Sequence, residues 1–223
     1  MSGLYPAVEV AVVAACLGMV LFALATLARD RGLWPSLAWT GLGLGWFLVL
    51  WELARAGAFE GTRGSGRAVE IAAMVVSLAV GWALLQAAQR TAPLAADLVT
   101  IQTTRLVAVV VLLALAGEAL PAWLALPIGL GDVLVGLSAI GVARGLGGTA
   151  RRGARAARTW NAAGMALAVF SIAAPIASAR SSGYFFSLYP LVLFPTFLAP
   201  VWLVLHVAIQ RGVAGAGSAA PRG

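Results

Sequence analysis

Long apolar runs, broken by short clusters of arginine, glycine and proline, make up almost the whole chain. A helix needs about 20 apolar residues to cross a hydrocarbon core of roughly 30 Å. Seven segments meet that length, near 5–28, 35–55, 68–88, 98–119, 122–144, 159–179 and 186–210. The pattern predicts an all-α fold, a polytopic transmembrane helical bundle of about seven helices, forming one domain over residues 1–211. The tail from Gly212 to Gly223 is rich in Gly, Ala and Ser and reads as disordered.

Two segments need more than a count. The apolar run Leu106–Gly117 spans only about 18 Å at 1.5 Å per residue. Segment four must therefore extend back past Arg105, with Thr91 and Pro93 as cap and first turn. Segment five carries Pro127, Gly129, Gly131, Asp132 and Gly136. It reads either as a full span or as a broken one. Ala56–Arg67, with Gly61, Gly64, Ser65 and Gly66, and Gly145–Arg158 read as mobile loops.

Composition agrees with the pattern. Apolar residues are 61% of the chain and charged residues 10%, against about 25% in a soluble domain. In water such a surface would aggregate; lipid solvates it. The net charge of +7 comes from arginines between the apolar runs. They form no stripe with interleaved aromatics, so no nucleic-acid partner is expected. Arg29 and Arg31 follow the first segment instead of preceding it, unlike a cleaved signal peptide. With the N-terminus outside and the C-terminus inside, ten arginines fall on the inner side and four on the outer. That bias is the one seen in a multi-pass protein of the plasma (inner) membrane. There is no lysine, which excludes a retinal Schiff base and a P-loop. One cysteine, Cys16, and one histidine permit neither an intrachain disulfide nor a closed zinc site. No metal and no cofactor are expected.

A charge at depth in a membrane costs several kcal/mol unless partnered, so each marks a functional candidate. Arg105 cannot avoid the hydrocarbon, and Asp132 lies midway along segment five. Measured from the turn at Pro121, they lie about 22 Å and about 16 Å deep on straight helices. Sequential helices joined by a tight turn are neighbours, so an Arg105–Asp132 ion pair is predicted. Gln102 lies one turn before Arg105, and Asn161 and His206 fall in the same inner half. Two readings fit these five residues. They line a polar pocket open to the cytoplasm, or they hold the helices in register. Segment seven carries Pro190, Pro195 and Pro200, each removing a backbone hydrogen bond and freeing a carbonyl four residues earlier. Pro195 and His206 share a face. Broken helices near a site occur in transporters, and prolines also occur in spans with no site.

Toward the outside lie Glu9, Glu52, Glu70 and Glu118, each near the end of a different helix. They read as a cation-gathering ring or as interface residues paired with Arg55 or Arg67. Gly41, Gly43, Gly45, Gly129 and Gly136 suit close helix approach. Trp34, Trp39, Trp51, Trp123 and Trp160 suit interfacial anchors.

Five stretches carry a family resemblance: Ile101-Gln102-x-x-Arg105; Leu120-Pro121; Gly129-x-Gly131-Asp132-x-x-x-Gly136; Trp160-Asn161-x-x-Gly164; and the Pro190, Pro195, Pro200 series ending in Leu205-His206. Over residues 101–206 the chain resembles a group of uncharacterised bacterial multi-pass membrane proteins. The resemblance implies a membrane protein and no particular reaction. The group's pattern has an aspartate two residues after Gly164; this chain has Ala166 there, so no role for that acid carries over.

Three functions follow. The first is a carrier of a small solute or protons, with Asp132 and His206 titrating and Arg105 as counter-ion. The second is a scaffold or assembly subunit that docks a protein partner or a second copy. The third is an intramembrane enzyme or cofactor-binding protein acting on a lipid or quinone. The enzyme ranks lowest, because no serine or cysteine sits at a triad spacing and no metal cluster is present. A haem would need a ligand besides the single histidine. The carrier reading comes first. Its partners are the bilayer and a small-molecule ligand.

Overall fold

The apolar runs become helices because a membrane interior offers no water to backbone N–H and C=O groups, which must then pair within their own segment. The computed structural model describes residues 5–31, 33–60, 65–89, 95–146, 150–178 and 182–218. Among these residues there are seven long helices and no strand. Helix α1 spans Tyr5–Arg31, α2 Leu33–Arg55, α3 Ser65–Gln89, α4 Ala95–Ala116, α5 Ala122–Leu146 and α6 Ala150–Ser178. Helix α7 opens with a π-helical turn, Phe194–Leu198, and continues as Ala199–Ser218. Six of them, α2 to α7, are long and apolar enough to cross a membrane, while α1 has the shorter apolar stretch Pro6–Phe22. Large apolar side chains such as Val10, Val75, Leu137 and Val169 face outward with half or more of their surface exposed. This is the make-up of a multi-pass membrane protein.

Several boundaries depart from the pattern. Segment four does extend back past Arg105, to Ala95; Thr91 and Pro93 lie outside the described residues. Segment five is a continuous span, not a broken one. The Pro127 region is absorbed as a π-helical turn, Leu126–Gly131, which keeps the chain helical around a residue with no N–H. Most of the stretch expected to be the Gly145–Arg158 loop is helical, since α5 runs to Leu146 and α6 starts at Ala150. Alanine and arginine are strong helix formers and outweigh Gly153 there. Ser65 and Gly66 belong to α3, while Gly61 and Gly64 lie outside the described residues. Helix α7 runs past Gly212 to Ser218, and residues 219–223 lie outside the described residues.

Segment seven differs most. A short 3₁₀ helix, Ser182–Ser187, and a turn precede α7, so Pro190 sits ahead of the helix instead of inside it. Pro195 falls in the first turn, where a missing N–H costs little. Pro200 is inside, and it deprives the Thr196 carbonyl of its helical partner. Ser77 on α3 replaces that partner, its hydroxyl donating to the Thr196 carbonyl at 2.5 Å. Trp46 Nε1 on α2 donates to the same hydroxyl at 2.8 Å. The break thus ties three helices together.

Helix α7 is the centre of the bundle. It packs against α3, α4 and α6, and every residue from Val192 to Pro200 is buried. The apolar core divides in two. One cluster holds Val111, Leu124, Ile128, Phe194 and Trp202 toward the Pro121 end. The other holds Val99, Ala139, Ala157, Ala208 and Ile209 toward the α5–α6 connection. The buried polar residues Gln102, Arg105, Asp132, Asn161 and His206 of α4 to α7 sit among these apolar side chains.

Ser77→Ala removes the side-chain donor to the Thr196 carbonyl and the acceptor for Trp46. A buried orphan of this kind costs about 1–3 kcal/mol. Reversible unfolding in mixed detergent micelles is expected to show a loss of that size, with Thr100→Ala on an exposed position of α4 unchanged.

Candidate functional site

The polar layer begins with a departure from α-helical geometry. Residues Gln102–Ala108 of α4 form a 3₁₀ helix. With three residues per turn, side chains at i and i+3 eclipse, so Gln102 lies directly alongside Arg105. Gln102 Oε1 accepts from Arg105 Nε at 2.8 Å. Thr104 reinforces the tight winding by donating to the Ile101 carbonyl three residues back, at 2.9 Å.

The guanidinium reaches three other helices. Arg105 Nη1 forms an ion pair with Asp132 Oδ1 on α5. Its Nη2 donates to the Gly164 carbonyl on α6 at 3.1 Å and to His206 Nε2 on α7 at 2.9 Å. The Trp202 ring lies 4.8 Å from the guanidinium carbon, a cation–π contact made one turn before His206. Asp132 also accepts a long bond from Ser171 on α6, at 3.4 Å. Arginine offers only donors, so His206 Nε2 must accept. The imidazole is then neutral, with its proton on Nδ1. That proton goes to Asn161 Oδ1 at 2.7 Å. Asn161 Nδ2 donates back to the His206 carbonyl at 3.0 Å and to Gln210 Oε1 at 3.2 Å. Gln210 is exposed.

One row of hydrogen bonds therefore runs Ser171, Asp132, Arg105, His206, Asn161, Gln210, from the buried centre to the surface near the α5–α6 end. Gln102, Arg105, Asp132, Asn161 and His206 are each fully buried. Among the described side chains, Gln102 Nε2 is the single buried polar atom with no partner. Two glycines make the room. A Cβ on Gly164 would overlap the His206 ring. One on Gly136 would press to 3.1 Å from the Leu106 backbone nitrogen and 3.4 Å from Arg105 Cβ.

The five residues expected to share a site are brought together, and Arg105 pairs with Asp132. The expected opening to the cytoplasm is not there, because all five are sealed by side chains from four helices. Of the prolines, Pro195 and Pro200 fall in α7 seven and two residues ahead of Trp202, and Pro190 lies outside it. The glycine expectation divides: Gly129 and Gly136 face α4 closely, whereas nothing lies near Gly41 or Gly45. The acids at the other end are not alike. Glu9 accepts from Tyr189 Oη at 2.5 Å, and Ser187 Oγ donates to buried Glu70 at 3.5 Å. Glu52 and Glu118 are exposed.

The chain belongs to the family described as a domain of unknown function (DUF8737). The match covers residues 67–212 and so takes in α3, ahead of the stretch 101–206 that carries the resemblance. Every member of the network falls within it. No curated protein and no solved structure matches the chain.

Three contributors, Trp202, Ser171 and Gln210, are not among the residues the sequence singles out, and Gly164 is there only as part of a motif. Trp202 and Gln210 stand four residues either side of His206, the helical same-face spacing. Gly164 and Ser171 follow Asn161 at three and ten residues, again one face. That spacing was a usable signal; the side chain each would meet was not.

Asp132→Ala strands a buried guanidinium, an effect of about 3–5 kcal/mol. The double substitution Arg105→Met with Asp132→Leu is expected to recover most of that loss, measured by the same micelle unfolding. An equal loss in both would place the stability in the glutamine, histidine and backbone contacts instead of the ion pair.

Proposed function

We propose that this protein is a carrier-like transporter of the inner membrane, with its N-terminus outside and its C-terminus inside, and that its cargo is protons or a small solute. The observation that carries the reading is the row of hydrogen bonds from Asp132 to the exposed Gln210. A buried ion pair in a membrane helix is expensive and marks a pathway by default.

Protons fit this row better than a bulky solute, because a proton needs no cavity. The row is also sensitive to one proton. A proton on His206 Nε2 ends its acceptance from Arg105. A proton on Asp132 removes the charge that holds the guanidinium. Either event leaves Arg105 with a lost partner and drives rearrangement. The backbone next to the row offers places for it to happen: the 3₁₀ stretch Gln102–Ala108 and the π turns Leu126–Gly131 and Phe194–Leu198. Such irregular turns occur often at hinges and functional sites.

A second reading, a scaffold that docks a partner, is favoured by the burial and near-complete pairing of the same residues. It needs the network only as a register device.

Proteoliposomes holding a pH-sensitive dye distinguish the two. Under an imposed pH gradient and a potassium-set voltage, the wild type is expected to move protons. Asp132→Asn, which keeps shape and loses charge, is expected to lower the flux at least tenfold while the protein stays monodisperse. Equal flux from both proteins would sink the carrier reading, and recovery of a bound partner under gentle extraction would favour the scaffold.

A further inference from the structure

Outside the polar network, the surface between α3 and α7 holds an apolar groove of about 380 Å³, lined by Leu78, Ala79, Trp82, Leu203, Val204 and Val207. Its size falls in the range of small-molecule sites, about 300–1,000 Å³. The two helices are in contact beside it, where Gly81 on α3 faces the Val204 side chain on α7. Both helices run in the same sense across the bundle, so the groove follows the direction of a lipid chain.

The groove has a charged end. Arg211 stands one turn beyond Val207 on α7, and its guanidinium lies 4.6 Å from the centre of the Trp82 ring. Arg211 is exposed. After Asp132 the chain has no acidic residue, yet it carries eight arginines. An arginine over an indole face still has N–H groups pointing away from the ring, and a guanidinium fork suits phosphate through bidentate bonds. Tryptophan at the boundary of the apolar layer marks headgroup depth.

We propose that the α3–α7 groove binds an anionic phospholipid, with one acyl chain along Leu78, Val204 and Val207 and the phosphate on Arg211 above Trp82. The acyl chain gains little by leaving other lipid tails for the groove. Selectivity therefore comes from the headgroup charge, and the groove fixes position. The site uses no residue of the Arg105 network, so it stands or falls apart from the carrier reading.

Native mass spectrometry of the full chain in mild detergent tests it, with dioleoyl phosphatidylglycerol or dioleoyl phosphatidylcholine added. The wild type is expected to retain one phosphatidylglycerol in preference to phosphatidylcholine. Arg211→Gln should weaken phosphatidylglycerol retention roughly fivefold, the effect of one arginine near an anionic headgroup. Arg211→Lys should restore part of it. Ala79→Trp fills the groove and should lower retention of both lipids. Arg155→Gln, a charge on α6 outside the groove, should change neither. All three positions are at the surface, and a wild-type elution profile verifies the fold of each variant. Equal retention of the two lipids by the wild type would overturn the proposal. So would equal losses from Arg211→Gln and Arg155→Gln, which would mean general attraction of acidic lipid. Unchanged retention in Ala79→Trp, with glycerol phosphate competing, would reduce the site to an anion contact and overturn the groove.

Discussion

A guanidinium buried among four helices governs this structure. Arginine is protonated at any physiological pH, and a membrane interior cannot hydrate it. Its donors must be met by protein. Arg105 meets them with a side-chain amide on its own helix, a carboxylate on α5, a backbone carbonyl on α6 and an imidazole on α7. Each contact constrains the others. His206 must be the Nδ1–H tautomer to accept from Arg105, so Asn161 must present its oxygen, so its amide nitrogen must face the His206 carbonyl and Gln210. Gly164 and Gly136 are small because the ring and the arginine stem occupy the space a side chain would take.

The backbone bends to the same demand. The 3₁₀ winding of Gln102–Ala108 puts Gln102 where it can hold Nε of Arg105. The π turn before Asp132 changes the phase of every side chain after it and brings the carboxylate to α4. In α7, Pro200 releases a carbonyl that Ser77 and Trp46 then satisfy from two other helices. Three irregularities that would weaken isolated helices are each used as a contact. The two apolar clusters packed around the polar residues exclude the solvent that would otherwise compete for them.

The two ends of the bundle differ in kind. Toward Pro121, Glu9 and Glu70 are tied to the segment ahead of α7 through Tyr189 and Ser187, and Trp51 donates to the same tyrosine oxygen at 2.8 Å. This pins a stretch that is not regular helix. At the α5–α6 end the exposed charges among the described residues include Arg144, Arg155, Arg158 and Arg211. The polar row opens toward that basic end, at Gln210, and the α3–α7 groove ends there, at Arg211.

Much of this was legible from the chain alone. The length of the apolar runs sets the helix count, because a bilayer has one thickness. The short run after Arg105 forces that residue into the core, and the tight turn at Pro121 makes Asp132 its neighbour. Both inferences need only rise per residue and chain connectivity. What the pattern could not reveal is phase and closure. A π turn or a 3₁₀ stretch shifts which face a residue occupies, and apolar runs carry no periodicity strong enough to register the shift. Segment five therefore read as either whole or broken, Pro190 read as part of α7, Gly164 stood only as a motif residue, and Ser171, Trp202 and Gln210 went unassigned. Whether the five polar residues lined an opening or a sealed core depended on how four helices approach one another. Sequence determined that a charge would be buried and which acid would meet it; tertiary packing decided that the remaining donors would be met by an imidazole, an amide and a bare carbonyl instead of by water.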